Sequence, residues 1–221
     1  HGGDDVRQAY FLTGTDLVVG KSLIATGFLY TGARSWDLKV LGMKPVVAGA
    51  GDDIDRLVAA SNVEAPRHYL NPYHFDEPVA PNIAAKGAGK TIDLGHIKYC
   101  FDEIRGQADL VIVEGIGGFC SPLNETETVA DMAKLLALPV LVVVGLKLGC
   151  LSHTLLTIEA IKARDLPIAG WVANEVDRDM LCVSETVTTL KDYLDIPLLG
   201  YIRYQDHPDG KNLVKQLAMP D

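Results

Sequence analysis

The stretch Gly14-Thr15-Asp16-Leu17-Val18-Val19-Gly20-Lys21-Ser22 holds the residue types that a phosphate-binding loop needs. Glycines let the backbone approach an anion, and successive N–H groups with a following helix N-terminus face it. A lysine then neutralises β- and γ-phosphate oxygens, and a serine hydroxyl can ligate Mg²⁺. Five residues separate Gly14 from Gly20, where the general pattern has four. A Gly-rich turn with an incidental lysine is the competing reading. Further along, Glu114-Gly115-Ile116-Gly117-Gly118 ends a strongly apolar run. A carboxylate there would bind Mg²⁺ directly or through water, as hard cations prefer oxygen; otherwise it is a solvated turn residue. Asp52, Asp53 and Asp55 open a helical segment, where carboxylates favour the macrodipole without any metal. Lys44 lies in Gly42-Met43-Lys44-Pro45-Val46, and burying a lysine is costly unless it faces an anion. These residues alone leave Lys44 equally a surface group or an active-site group.

The elements that must position these residues alternate in type. Short β-branched runs at Tyr10–Thr13, Val40–Val47, Leu110–Val113, Pro139–Val144, Ile168–Ala173 and Pro197–Ile202 read as strands. Helices are expected over Lys21–Thr31, Asp53–Ala60, Ile92–Arg105, Thr126–Leu136, Ser152–Ala163 (capped by Ser152) and Ser184–Leu194. Asn71–Pro81, with three prolines, reads as an ordered loop. Such alternation implies an α/β fold, a mostly parallel central sheet flanked by helices on both faces, with ligands at the carboxyl ends of the strands.

At 221 residues and 48% apolar content the chain suits one globular domain, taken as residues 6–221, with residues 1–5 read as a tag remnant or tail. A formal charge of −9 without a Lys/Arg cluster argues against nucleic acid or an anionic membrane as partner. No stretch has the length and apolarity of a membrane span, and no secretory signal opens the chain. Cys100, Cys120, Cys150 and Cys182 form no Cys-x-x-Cys pair, so reduced thiols and a cytoplasmic location are expected.

The assembled motifs resemble the dethiobiotin synthetases, ATP-dependent ligases of biotin synthesis, with a P-loop fold. The likeness runs from about Tyr10 to Ile202. It is carried by Phe11–Asp16 with Gly20-Lys21-Ser22, Lys44-Pro45-Val46, Asn71-Pro72-Tyr73, Val113–Gly118, Leu138–Val144, Lys147–Cys150 with His153, and Gly170–Asn174. That family's loop also has the extra residue. The resemblance implies that 7,8-diaminononanoate takes up CO₂ as a carbamate, which attacks the γ-phosphate of ATP before the second amine closes the ring. It implies catalytic Lys21 and Lys44, and Mg²⁺ held by Ser22, Asp55 and Glu114. Nucleotide contacts would come from Thr15, Asp16, Val18, Val19, Gly20, Lys21, Ser22, Leu23, Asp55, Glu114, Gly115, Gly117, Asn174 (to the base) and Arg203. Substrate contacts would come from Lys44, Ala48, Leu148, Gly149, Cys150, Leu151 and Ser152, across a homodimer interface. The chain departs from the family at Leu17-Val18 (commonly Thr-Glu), Ala48 (Ser), Ser152 (Asn), Arg203 (Pro) and Thr186 (Tyr in some members). A paralogous ligase with another substrate, a degenerate nucleotide-binding homologue and a septum-site or nitrogenase-type ATPase are the rival readings.

Overall fold

Apolar runs without polar interruption demand burial on both faces, and a computed structural model describing residues 8–221 satisfies that demand with a parallel sheet. The tail expected at residues 1–5 lies outside the described residues. In chain order the elements are β1 (Gln8–Gly14), α1 (Lys21–Trp36), β2 (Val40–Met43), β3 (Val46–Ala48), α2 (Asp53–Ala60), α3 (Arg67–Leu70), β4 (Tyr73–Phe75) and α4 (Pro81–Gly87). They continue with α5 (Leu94–Arg105), β5 (Leu110–Gly118), α6 (Val129–Leu136), β6 (Val140–Leu146), α7 (Cys150–Ala163), β7 (Ile168–Glu175), α8 (Val183–Tyr193), β8 (Leu198–Ile202) and a closing 3₁₀ turn (Gly210–Leu213).

Six strands pair in the order β2-β5-β1-β6-β7-β8, every pair parallel. Alternate residues feed two cores. Phe11, Val113, Val142 and Trp171 pack on one face with α5, α6 and α7. Tyr10, Leu12, Ile112, Leu141 and Val172 pack on the other with Ile24, Phe28 and Leu213. Phe28, Phe101 and Trp171 are fully buried, and truncating any one typically costs ~3–5 kcal/mol.

Four expectations are corrected. Val40–Val47 is two strands, because Pro45 has no N–H and the chain leaves the sheet after Met43. The backbone at that break is held instead by Lys44 N–H donating to the Leu70 carbonyl (2.9 Å) and by Asn71 Nδ2 donating to the Lys44 carbonyl (2.8 Å). Asn71–Pro81 is more than a loop, since Tyr73–Phe75 pairs in parallel with Val46–Ala48 and Pro81 opens a helix. α6 starts at Val129 rather than Thr126, where Asp131 accepts the Thr128 N–H at 2.8 Å. Finally, α7 starts at Cys150 after Gly149 in the left-handed region (φ 97°), so Ser152 sits inside the first turn and caps nothing.

Candidate active site

The carboxyl ends of β1, β2, β5 and β7 meet around the loop that follows β1. Thr15 N–H donates to the Val143 carbonyl (3.0 Å), so the loop leaves the sheet already pinned to β6. Val18 (φ 54°) and Gly20 (φ 90°) are both left-handed, a costly conformation for a β-branched residue. The reversal lets α1 begin at Lys21, and turns of this kind can form anion-binding concavities from successive N–H groups. Gly20 has no space for a side chain: a Cβ there would strike the Asn174 amide. That amide Nδ2 donates to the Val19 carbonyl (2.9 Å), tying the tip of β7 to the loop.

Three side chains converge below the loop. Lys44 Nζ donates to Glu114 Oε1 (3.1 Å) and to the Gly115 carbonyl (3.0 Å), and Ser22 Oγ donates to the same Glu114 oxygen (2.6 Å). Lys44 and Glu114 are only 4% and 1% exposed, which rejects the surface reading of Lys44. Asp53, at the start of α2, approaches Lys44 at 3.8 Å. Burial pulls the Lys21 ammonium down to about 8, with Lys44 beside it adding repulsion. Lys21 itself rests on the Asp16 carbonyl at 3.4 Å. Two cations side by side, one of them disfavoured by burial, form a place where an anion is strongly preferred.

These groups open into a cavity of about 550 Å³. Leu17, Val18, Val19, Gly20, Lys21, Ser22, Leu23, Lys44, Ala48, Glu114, Gly117, Asn174 and Arg203 are among the residues that line it. A second cavity, about 720 Å³, adjoins it and shares Leu17, Ala48, Ile116 and Gly117. Thr15 and Asp16 face this second space, together with Pro78–Pro81, Phe119–Pro122, His153, Leu156 and Thr157.

Asp55 is a correction. Its carboxylate is 66% exposed and paired with Arg67 at 2.7 Å, and it lines neither cavity. Helical geometry explains the exchange, since residues two apart on a helix point to different sides and Asp53 takes the inward one. Among Leu148–Ser152, none lines either cavity of this chain; Leu148 is 95% exposed, whereas the Cys150 side chain is buried in the core. Gly115 contributes its carbonyl to Lys44.

Sequence reasoning missed the wall formed by Glu175, Val176, Tyr204, Gln205 and Asp206. Its signal was available, because these residues end or closely follow β7 and β8. Glu175 is fully committed there, accepting the Tyr201 hydroxyl and the Tyr204 N–H (2.9 Å). Burial first, and this bond second, push Tyr201 up to about 12.

The donor set suits a hard divalent cation. Glu114 Oε2 is buried without a partner, and Ser22 Oγ and the Asp53 carboxylate stand at the same cavity, all oxygen ligands. No cluster of three or more His, Cys, Asp or Glu poised for metal occurs among the described residues, so any ion held here would complete its shell with water or phosphate oxygens. Among the described residues no helix is long and apolar enough to cross a membrane.

Comparisons with known proteins agree with this geometry. A family model described as an AAA domain matches residues 8–211. The chain is 44% identical to the ATP-dependent dethiobiotin synthetase of Aromatoleum aromaticum, covering 96% of this chain and 98% of that protein. It is likewise 44% identical to the one of Nitrosospira multiformis, over 93% and 92% of the two. In fold it is similar to a ParA family ATPase from Chlorobium tepidum (TM-score 0.57, 14% identity, 90% of this chain and 86% of that one). MinD from Pyrococcus horikoshii is also similar (TM-score 0.56, 16% identity, 90% and 82%).

Proposed function

The chain belongs to the ATP-dependent dethiobiotin synthetase family, and on that premise we propose that it closes the cyclic urea of dethiobiotin from 7,8-diaminononanoate, CO₂ and ATP. The observation that carries the reading is the buried Lys44 held on Glu114 Oε1 and the Gly115 carbonyl, directly beside Lys21 and Ser22. A buried cation of this kind is pre-aimed at charge that develops on a transferring phosphoryl group.

In this reading the triphosphate lies along the Gly14–Ser22 loop and binds its N–H groups, and Lys21 leaves the Asp16 carbonyl to meet the β/γ oxygens. Mg²⁺ would be held by Ser22, Glu114 and Asp53, which takes the place expected of Asp55, and would neutralise charge on the phosphates. Lys44 stabilises the carbamate oxygen and the γ-phosphate under attack, as the bond to the β,γ-bridging oxygen breaks and ADP leaves. The second amine then displaces phosphate from the mixed anhydride and closes the ring. The base lies against Asn174, Arg203 and the Tyr204–Asp206 segment. The diamine occupies the second cavity, where Ala48, Gly117 and Leu17 bring it next to the phosphates.

A homodimer belongs to the same reading. Leu148 (95% exposed), just before α7, and Leu156 (60% exposed), midway along it and at the second cavity, both stand bare. A second copy would cover them and bring its own Leu148–Ser152 segment to the substrate carboxylate. A single domain over residues 6–221, working in the cytoplasm, completes the proposal. Incubation with the diamine, bicarbonate, Mg²⁺ and ATP, CTP or GTP tests it. Dethiobiotin with at least one nucleotide is the expected result; nucleotide binding without product from any of them rejects the assigned reaction.

A further inference from the structure

At the rim shared by the two cavities, one side chain bonds to segments on both sides. Asp16 leaves β1 at the head of the loop, and its Oδ1 accepts the Leu17 N–H at 2.7 Å, which sets the direction of the loop. Its Oδ2 accepts Lys147 Nζ at 2.9 Å from the far end of β6, and His153 Nδ1 of α7 stands 3.9 Å from the same oxygen. Its backbone carbonyl receives Lys21 Nζ at 3.4 Å. Lys21 and Leu17 line the first cavity, whereas Asp16, Leu17 and His153 line the second. The Lys147 carbonyl accepts the Cys150 N–H at 3.0 Å, which ties Lys147 to the start of α7.

We propose that Asp16 is a positioning residue that couples the two cavities, its carboxylate strapping the phosphate loop to the Lys147–His153 segment. The inference rests on the assignment of the first cavity to the nucleotide and the second to the diamine. Lys21 must release the Asp16 carbonyl to reach a phosphate, so nucleotide binding disturbs the residue whose side chain anchors the second cavity's wall. Filling the second cavity fixes Asp16 and His153, which line it, and through Asp16 the loop. Each ligand thus narrows the conformations left for the other, which is positive coupling. The Asp16 carboxyl lies below the usual carboxylate range, mainly through its hydrogen bond from Lys147, so it is ionised at neutral pH. The pair is 31% and 39% exposed, so its contribution to global stability is small and its effect falls on geometry.

The test is calorimetric. The Kd of a non-hydrolysable ATP analogue with Mg²⁺ is measured on the wild type with and without saturating 7,8-diaminononanoate, and the ratio is the coupling factor. A wild-type factor of ~5 or more is expected. Asp16→Asn keeps an acceptor for the Leu17 N–H while removing the charge, and Lys147→Met removes the other partner. Each is expected to bring the factor to within about twofold of one, and the double variant to lower it no further. Lys147→Arg keeps the pair and the coupling. Melts shifted by no more than about 4 °C confirm that the variants are folded. A wild-type factor of one, factors unchanged in Asp16→Asn and Lys147→Met, or losses that simply add, overturns the strap. If the wild type makes dethiobiotin while any of these holds, the strap fails alone. A wild type that makes none takes the proposed function down with it.

Discussion

Two ion pairs at the same end of the sheet sit in opposite surroundings. Lys44–Glu114 is 4% and 1% exposed at the floor of the first cavity, on strand tips with a buried hydroxyl alongside. Asp16–Lys147 is 39% and 31% exposed at the rim of the second, between a loop and a helix start. Charges on the floor were stripped of water when the chain folded, so they are poised to act on an incoming phosphate without reorganising. Charges at the rim remain solvated and act by placing segments. Substitution on the floor should therefore cost stability and chemistry together, whereas substitution at the rim should cost little stability.

The sharpest way to break this contrast is to delete one cation from each kind of setting. Lys44→Met leaves Glu114 charged and buried beside a lone hydroxyl, and is expected to lower stability in urea by ~3–5 kcal/mol. The exposed Lys98–Asp102 pair, at a shorter 2.8 Å, provides the control: Lys98→Met is expected to cost only ~0.3–0.5 kcal/mol. Similar losses from both variants would erase the distinction.

Next in size is Gly20→Ala. A Cβ at φ 90° costs ~1–2 kcal/mol of strain and also displaces the Asn174 amide from the Val19 carbonyl. A melt with Mg²⁺-ATP at a hundred times its Kd should show ~2.7 kcal/mol of added stability in the wild type and little in the variant. An undiminished shift in Gly20→Ala would place the nucleotide elsewhere.

The rim is tested by assembly. Leu148→Asp with Leu156→Asp puts charge on two exposed leucines, and light scattering should then give 23.9 kDa against twice that for the wild type. A wild type already at 23.9 kDa contradicts the proposed dimer.

The smallest effect concerns pH. The neutral Tyr201 phenol donates to Glu175, and its folded pKa is raised from 10.0 to about 12. Between these values the unfolded chain has lost the proton and the folded chain keeps it. The stabilisation is therefore complete below pH 10 and is lost as pH rises toward about 12. Tyr201→Phe should flatten that alkaline limb of the denaturation profile, and an unaltered slope would remove the bond from the wall of the first cavity.

How much of this was legible in the sequence follows from what each signal depends on. The parallel sheet and the loop were legible because apolar runs and Gly-Lys-Ser after a strand are local patterns. Val46–Ala48 and Tyr73–Phe75 were missed as a pair because only the tertiary break at Pro45 makes them partners. Asp53 and Asp55 look alike in a helix start, and only the helix's rotation against Lys44 selects Asp53. Lys44 was undecidable from its strand, because its anionic partner Glu114 lies 70 residues away. The Asp16–Lys147 strap spans 131 residues and carries no local signature at all.

Single-turnover dethiobiotin formation by the wild type and Lys44→Gln bears most directly on the buried floor as the seat of chemistry. Glutamine keeps a polar donor in the buried site, so the variant should remain folded in a melt and still bind Mg²⁺-ATP. Removing one pre-aimed charge from a dry site typically costs ~3 kcal/mol of transition-state stabilisation, and at least about a hundredfold loss of rate is expected. A folded, nucleotide-binding Lys44→Gln that forms product at the wild-type rate would contradict it.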